Sequence, residues 1–212
     1  MGLPIIIFLC IIILTATHVL DNILRRSKIK KSSFFLYMSV CFAISLTPSY
    51  NINRYISFHL IVAMIFISYI VLIGMRKKTL YKTKELTFLF FVMLIYMAEQ
   101  LLGLVVSDID WFIYVKTGAI LLFCIFYIER PADSAICAAF GFWLMQLLQA
   151  IRNLCFDSYV YFDFGNVDVI QISLLSAIVT FLLTYLTCIA KERKKGKDIS
   201  NDMELFTSSE KK

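Results

Sequence analysis

The sequence predicts an all-α membrane protein: a polytopic bundle of about seven transmembrane helices, or six if one stretch does not cross, with its amino terminus outside and its carboxyl terminus in the cytoplasm. Three observations predict it. Hydrophobic residues make up 60% of the chain and charged residues 17%, against roughly 45–50% and 25% in a soluble domain. The apolar excess is gathered into seven stretches, each comparable with the roughly 20 residues that carry a helix across the hydrocarbon layer. Lysine and arginine crowd alternate connections, which is the pattern that orients membrane helices. Helices follow because irregular backbone facing lipid would leave its polar groups unpaired.

The stretches run over residues 3–20, 33–48, 55–75, 86–107, 111–128, 132–154 and 169–190. The first has no basic region before it, its arginines coming afterwards at Arg25 and Arg26, so it is expected to be a retained helix and not a cleaved signal peptide. Phe8-Leu9-Cys10 lacks the small residue a lipoprotein site needs, and no lipid anchor is expected. The second stretch is the weakest, being short and ending at Thr47-Pro48.

Arg25, Arg26, Lys28, Lys30 and Lys31 fill the first connection. Arg76, Lys77, Lys78, Lys82 and Lys84 fill the third, and Lys191, Arg193, Lys194, Lys195 and Lys197 open the tail. All three belong on the cytoplasmic side, where they face anionic lipid headgroups. Residues 49–54 carry one arginine, and residues 107–110 and 155–168 carry no lysine or arginine, so these connections belong outside. Because the first and third connections are both basic, the second and third stretches both cross or neither does.

The outer connection at 155–168 interleaves Phe156, Tyr159, Tyr161, Phe162 and Phe164 with Asp157 and Asp163. It is either an interfacial aromatic belt or a lid over a ligand. The membrane domain thus covers residues 1–190, and residues 191–212 form a basic, polar cytoplasmic tail, expected to be disordered because its apolar residues lack helical spacing. The net charge of +6 is explained by the basic clusters, so nucleic acid is not expected as a partner; the lipid bilayer and a membrane protein are. The six cysteines lack metal-ligand or redox spacing and read as packing residues, with Cys155 at the outer end of a helix. No internal repeat relates the two halves.

Ionisable and amide residues at membrane depth are costly and face protein or a watery cavity. On this topology Glu99, Gln100, Lys116, Gln146, Gln149, Arg152, Asp168 and Gln171 all fall towards the outer leaflet. Gln146, Gln149 and Arg152 recur every three residues and form one stripe along a helix. Charge predicts two pairs, Glu99 with Lys116 and Arg152 with Asp168. The group is either an outward-opening polar pocket for a small polar or anionic compound, or a set of interhelical hydrogen bonds that fixes packing. Packing is favoured, because Lys116, Arg152 and Asp168 can reach the headgroups; it explains Glu99 least well.

His18 and His59 lie near opposite faces and are expected to pack, not to share a metal. Ala135 with Ala139, and Cys137 with Gly141, supply small residues four apart for close helix approach. The chain lacks a Gly-x-Ser-x-Gly elbow, a His-Glu-x-x-His pair and a phosphate loop. It also lacks the paired acids and histidines of CAAX-type proteases, the aspartate-rich signature of prenyl transferases and a retinal lysine in the last span. No catalytic residue, metal or cofactor is therefore expected.

Gly141-Phe142-Trp143-Leu144-Met145-Gln146 in the sixth stretch and Gly165-Asn166-Val167-Asp168 at the entry to the seventh, with the overall length and span order, resemble the YphA-like membrane proteins of low-GC Gram-positive bacteria. The resemblance covers mainly the back half. It implies a multi-span fold in the cytoplasmic membrane and no catalytic residue.

The function expected first is a non-enzymatic scaffold or regulator of a membrane partner. The alternative is a small-solute carrier or binding subunit, similar in size to the substrate-binding subunits of energy-coupling-factor transporters but without their Ala-x-x-x-Ala surface in the first helix. An intramembrane enzyme would have Glu99 as its acid or base.

Overall fold

Each of the seven apolar stretches folds as a helix, the conformation that satisfies its own backbone. The computed structural model describes the backbone of residues 2–27, 29–51, 56–74, 79–105, 112–128, 130–156, 162–164 and 167–209. In chain order the elements are α1 (Gly2–Ala16), α2 (Asp21–Arg26), α3 (Lys31–Ser45), β1 (Tyr50–Asn51), β2 (Ile56–Phe58), α4 (Leu60–Gly74), α5 (Thr79–Val105), α6 (Phe112–Tyr127), α7 (Pro131–Phe156), β3 (Phe162–Phe164) and α8 (Val167–Ser209).

Three helical segments among the described residues are long and apolar enough to cross a membrane: Thr83–Gly103, Pro131–Asn153 and Val169–Lys191. Pro4–Ala16, Lys31–Ser45, Leu60–Gly74 and Tyr114–Tyr127 are equally apolar in character but shorter. At about 1.5 Å per residue these four fall short of the ~30 Å hydrocarbon layer. Large apolar side chains cover the outside of the bundle. On α5, for example, Leu86, Phe90, Met97 and Leu101 all point away from the protein, as a surface solvated by lipid tails requires.

At the centre stands α7, packed against α4, α5, α6 and α8 and the one long helix that is mostly buried. Small residues allow this. Cys137, Ala138 and Gly141 are fully enclosed, and a Cβ added at Gly141 would lie 2.9 Å from Phe88 Cζ. Against α7, the helix α8 turns a stripe of Ser173, Ser176, Thr180 and Thr184, all buried. Two of these hydroxyls bond within the helix, Thr180 donating to the Ser176 carbonyl at 2.7 Å and Ser173 to that of Ile170 at 2.9 Å. Across the seam the Thr184 hydroxyl donates to Ser134 Oγ (3.0 Å), which donates in turn to the Cys124 carbonyl of α6 (3.0 Å). Tyr69 of α4 stacks on Phe140 of α7 with ring centroids 3.9 Å apart.

The all-α class is borne out, with one small sheet added to it: β1 pairs antiparallel with β2, which pairs parallel with β3. The sheet joins two connections that the charge pattern puts on one side of the membrane. Its strands are two and three residues long, too short to leave a sequence signal. The third stretch, expected to be helical from residue 55, starts its helix at Leu60 because residues 56–58 are taken by β2. His59 sits at the junction, almost wholly buried. Its Nε2–H donates to the Thr47 carbonyl at the end of α3 (3.1 Å) and its Nδ1 accepts from the Ile61 N–H in the first turn of α4 (3.2 Å), so the ring is neutral and caps the helix.

The backbone of α8 continues as helix past residue 190 to Ser209. The segment contains Lys, Arg, Glu, Met and Leu, which favour the helix, and no proline to end it. At the other end of the chain α1 ends where His18 adopts a left-handed conformation, φ 64°. His18 Nδ1 contacts Asp21 Oδ2 at 2.6 Å, and Lys31 Nζ pairs with Asp21 Oδ1 at 2.9 Å. These two neighbours hold the Asp21 carboxyl below the usual carboxylate range and tie α1 and α2 to α3.

Candidate functional site

Three helices bring polar side chains to one place. From α5 come Tyr96, Glu99, Gln100 and Gly103; from α6, Lys116; from α7, Met145, Gln146, Gln149 and Arg152. Spacings of three, four and seven put each helix's contribution on one face. Together they line a cavity of about 280 Å³, slightly below the roughly 300 Å³ at which pockets for drug-sized ligands begin. It is sized for a small metabolite or ion.

Lys116 Nζ donates to Glu99 Oε1 at 2.5 Å, linking α6 to α5. Both side chains retain about a fifth of their surface, 20% for Lys116 and 21% for Glu99, so the pair faces the cavity without being sealed from it. Gln100 Nε2 donates to Gln149 Oε1 (3.2 Å), joining α5 to α7, and Gln149 Nε2 reaches Asn153 Oδ1 at 3.4 Å. The Tyr96 hydroxyl donates to the Leu148 carbonyl at 3.3 Å. Among the described residues Arg152 has no ionic partner and the Gln146 amide makes no hydrogen bond.

Six of the eight residues singled out from sequence line this cavity: Glu99, Gln100, Lys116, Gln146, Gln149 and Arg152. Gln171, half-buried on α8, does not line it. Asp168 begins α8, but its side chain and hence the expected pair with Arg152 lie outside the described residues. So do residues 157–161 of the aromatic connection, residues 165–166, residues 107–110, and Arg76, Lys77 and Lys78 of the third connection. Cys155 is exposed at the end of α7.

Tyr96, Gly103 and Met145 complete the lining and were missed. Tyr96 was legible in principle, since it lies three and four residues before Glu99 and Gln100 on one helical face. Also missed were Glu85 and Asp133, buried in α5 and α7 towards the opposite end of the bundle; the Tyr69 hydroxyl donates to the Glu85 main-chain carbonyl at 3.0 Å. They fell at the margins of the apolar stretches, where charge is ordinary.

Fold and cavity together define a helical membrane-type protein with a polar chamber between three of its helices. Comparison with protein-family models, curated proteins and solved structures finds no match for this chain.

Proposed function

We propose that the chain is a seven-span protein of a bacterial cytoplasmic membrane, amino terminus outside, that binds a small polar solute in the cavity between α5, α6 and α7, as a carrier or its binding subunit. The observation that carries this reading is the cavity itself. Residues that only fixed packing would close upon one another, whereas here Glu99, Lys116 and Arg152 surround about 280 Å³ of space. The span count and orientation rest on the basic connections and on the pairing of β2 with β3, which supports one side for both outer connections. The YphA-like resemblance belongs to the same proposal and supplies its membrane location.

The test is a thermal-shift screen of purified protein in detergent against anionic, cationic and neutral metabolites, wild type beside Glu99→Gln. Stabilisation of the wild type that the variant loses is the expected result. If no compound stabilises either form and the variant merely melts earlier, the polar residues are packing and the reading fails.

The helical continuation of α8 to Ser209 favours a second reading, the scaffold or regulator. A polar helix carried past the membrane end is a surface for a protein partner. Mild-detergent pull-downs with the full chain and with a chain ending at residue 191 test it; identical recoveries from both would remove its support.

A further inference from the structure

The cavity's charge names a class of ligand. Among the described lining residues there is one carboxylate, Glu99, and two cations, Lys116 and Arg152. Glu99 and Lys116 satisfy each other at 2.5 Å, which leaves the Arg152 guanidinium as the surplus charge. A cationic ligand would have to displace Lys116 from Glu99. A neutral one would leave Arg152, exposed at the edge of the cavity, without a counter-charge among the described residues. An anion supplies what is missing, and the planar guanidinium fork matches a group with two or more oxygens.

The amides agree. The Gln146 side chain is uncommitted among the described residues, and the Gln149 amide nitrogen is held only by a 3.4 Å contact to Asn153. Each can turn an N–H towards a further oxygen. Spaced at 146, 149 and 152, these two glutamines and Arg152 present their donors along one strip of α7.

We propose that the cavity selects a small oxyanion, a carboxylate or phosphate group, bound by Arg152 with help from Gln146 and Gln149 while Glu99 keeps Lys116 in place. This rests on the solute-binding reading of the cavity and deepens it. The group comes either from a free metabolite or from the headgroup of an anionic lipid.

The full-length protein is reconstituted in phosphatidylcholine nanodiscs and titrated with acetate, inorganic phosphate, choline and glucose, following thermal stability. Acetate or phosphate is expected to stabilise the wild type; Arg152→Gln should weaken that response roughly tenfold or more, and Arg152→Lys, which keeps the charge and loses the fork, by less. Exchange into phosphatidylglycerol discs separates the sources: stabilisation of the wild type over Arg152→Gln by that lipid, reversed by free phosphate, identifies a headgroup. If Arg152→Gln does not fold, an undiminished anion response in Arg152→Lys and in Gln146→Leu overturns the proposal. Choline or glucose stabilising the wild type, with neither anion nor phosphatidylglycerol doing so, overturns the oxyanion while leaving a solute-binding cavity. Silence from every probe removes both.

Discussion

Glu99 and Lys116 place opposite charges where each alone would be costly, and their short contact makes the two side chains one unit. Removing one partner leaves the other uncompensated, whereas removing both leaves two amides that can still hydrogen-bond. Glu99→Gln and Lys116→Gln should therefore each destabilise the protein, by roughly 1–3 kcal/mol, and the double variant should recover most of that loss. Thermal unfolding in detergent measures all three, and additive losses would show that the charges do not act together. Gly141 sets a different limit. Phe88 Cζ at 2.9 Å, with Ile120 and Val92 close behind, means that Gly141→Leu must push α5 and α6 away from α7, at a cost of about 1–3 kcal/mol or more; Gly141→Ala should cost less, because the tip of a ring is the one atom too near. The Glu99–Lys116 pair was legible in the sequence because charge inside an apolar stretch is rare and demands a partner. Tyr96 was legible only through its spacing, three and four residues before Glu99 and Gln100, because a tyrosine in such a stretch otherwise passes for an ordinary apolar residue.

Between elements, α7 and α8 adhere through small hydroxyl residues, and the hydrogen bond from Thr184 to Ser134 is a direct polar link between them. Interhelical hydrogen bonds at membrane depth contribute on average about 0.6 kcal/mol, since an unfolded helix in lipid also finds partners. A double-mutant cycle with Ser134→Ala and Thr184→Val should give a coupling of about that size. A coupling indistinguishable from zero would assign the seam to van der Waals packing alone. The same scale explains which helix boundaries could be read. The core of each helix followed from its apolar length, but the start of α4 depends on residues 56–58 pairing with β3, more than a hundred residues away, and on His59 capping what remains. No local pattern carries that information.

For the whole molecule the open quantity is the number of crossings, and α6 decides it. The pairing of β2 with β3 keeps residues 56–58 and 162–164 on one side, so α4 to α7 together cross an even number of times: four, or two if α4 and α6 do not cross. The sixteen residues of α6 span about 24 Å at 1.5 Å each, a shortfall of the kind a membrane can take up by local thinning. The two alternatives separate on one comparison. If α5, α6 and α7 all cross, a cysteine introduced as Lys82→Cys lies on the opposite side from Cys155; if α6 does not, both lie on the same side. In a chain whose other five native cysteines are replaced, a membrane-impermeant maleimide should label Cys155 in intact cells and Lys82→Cys only after permeabilisation. Equal labelling of the two would leave α6 lying along the bundle without crossing it, and the Glu99–Lys116 pair that α6 completes would then sit beside a membrane surface.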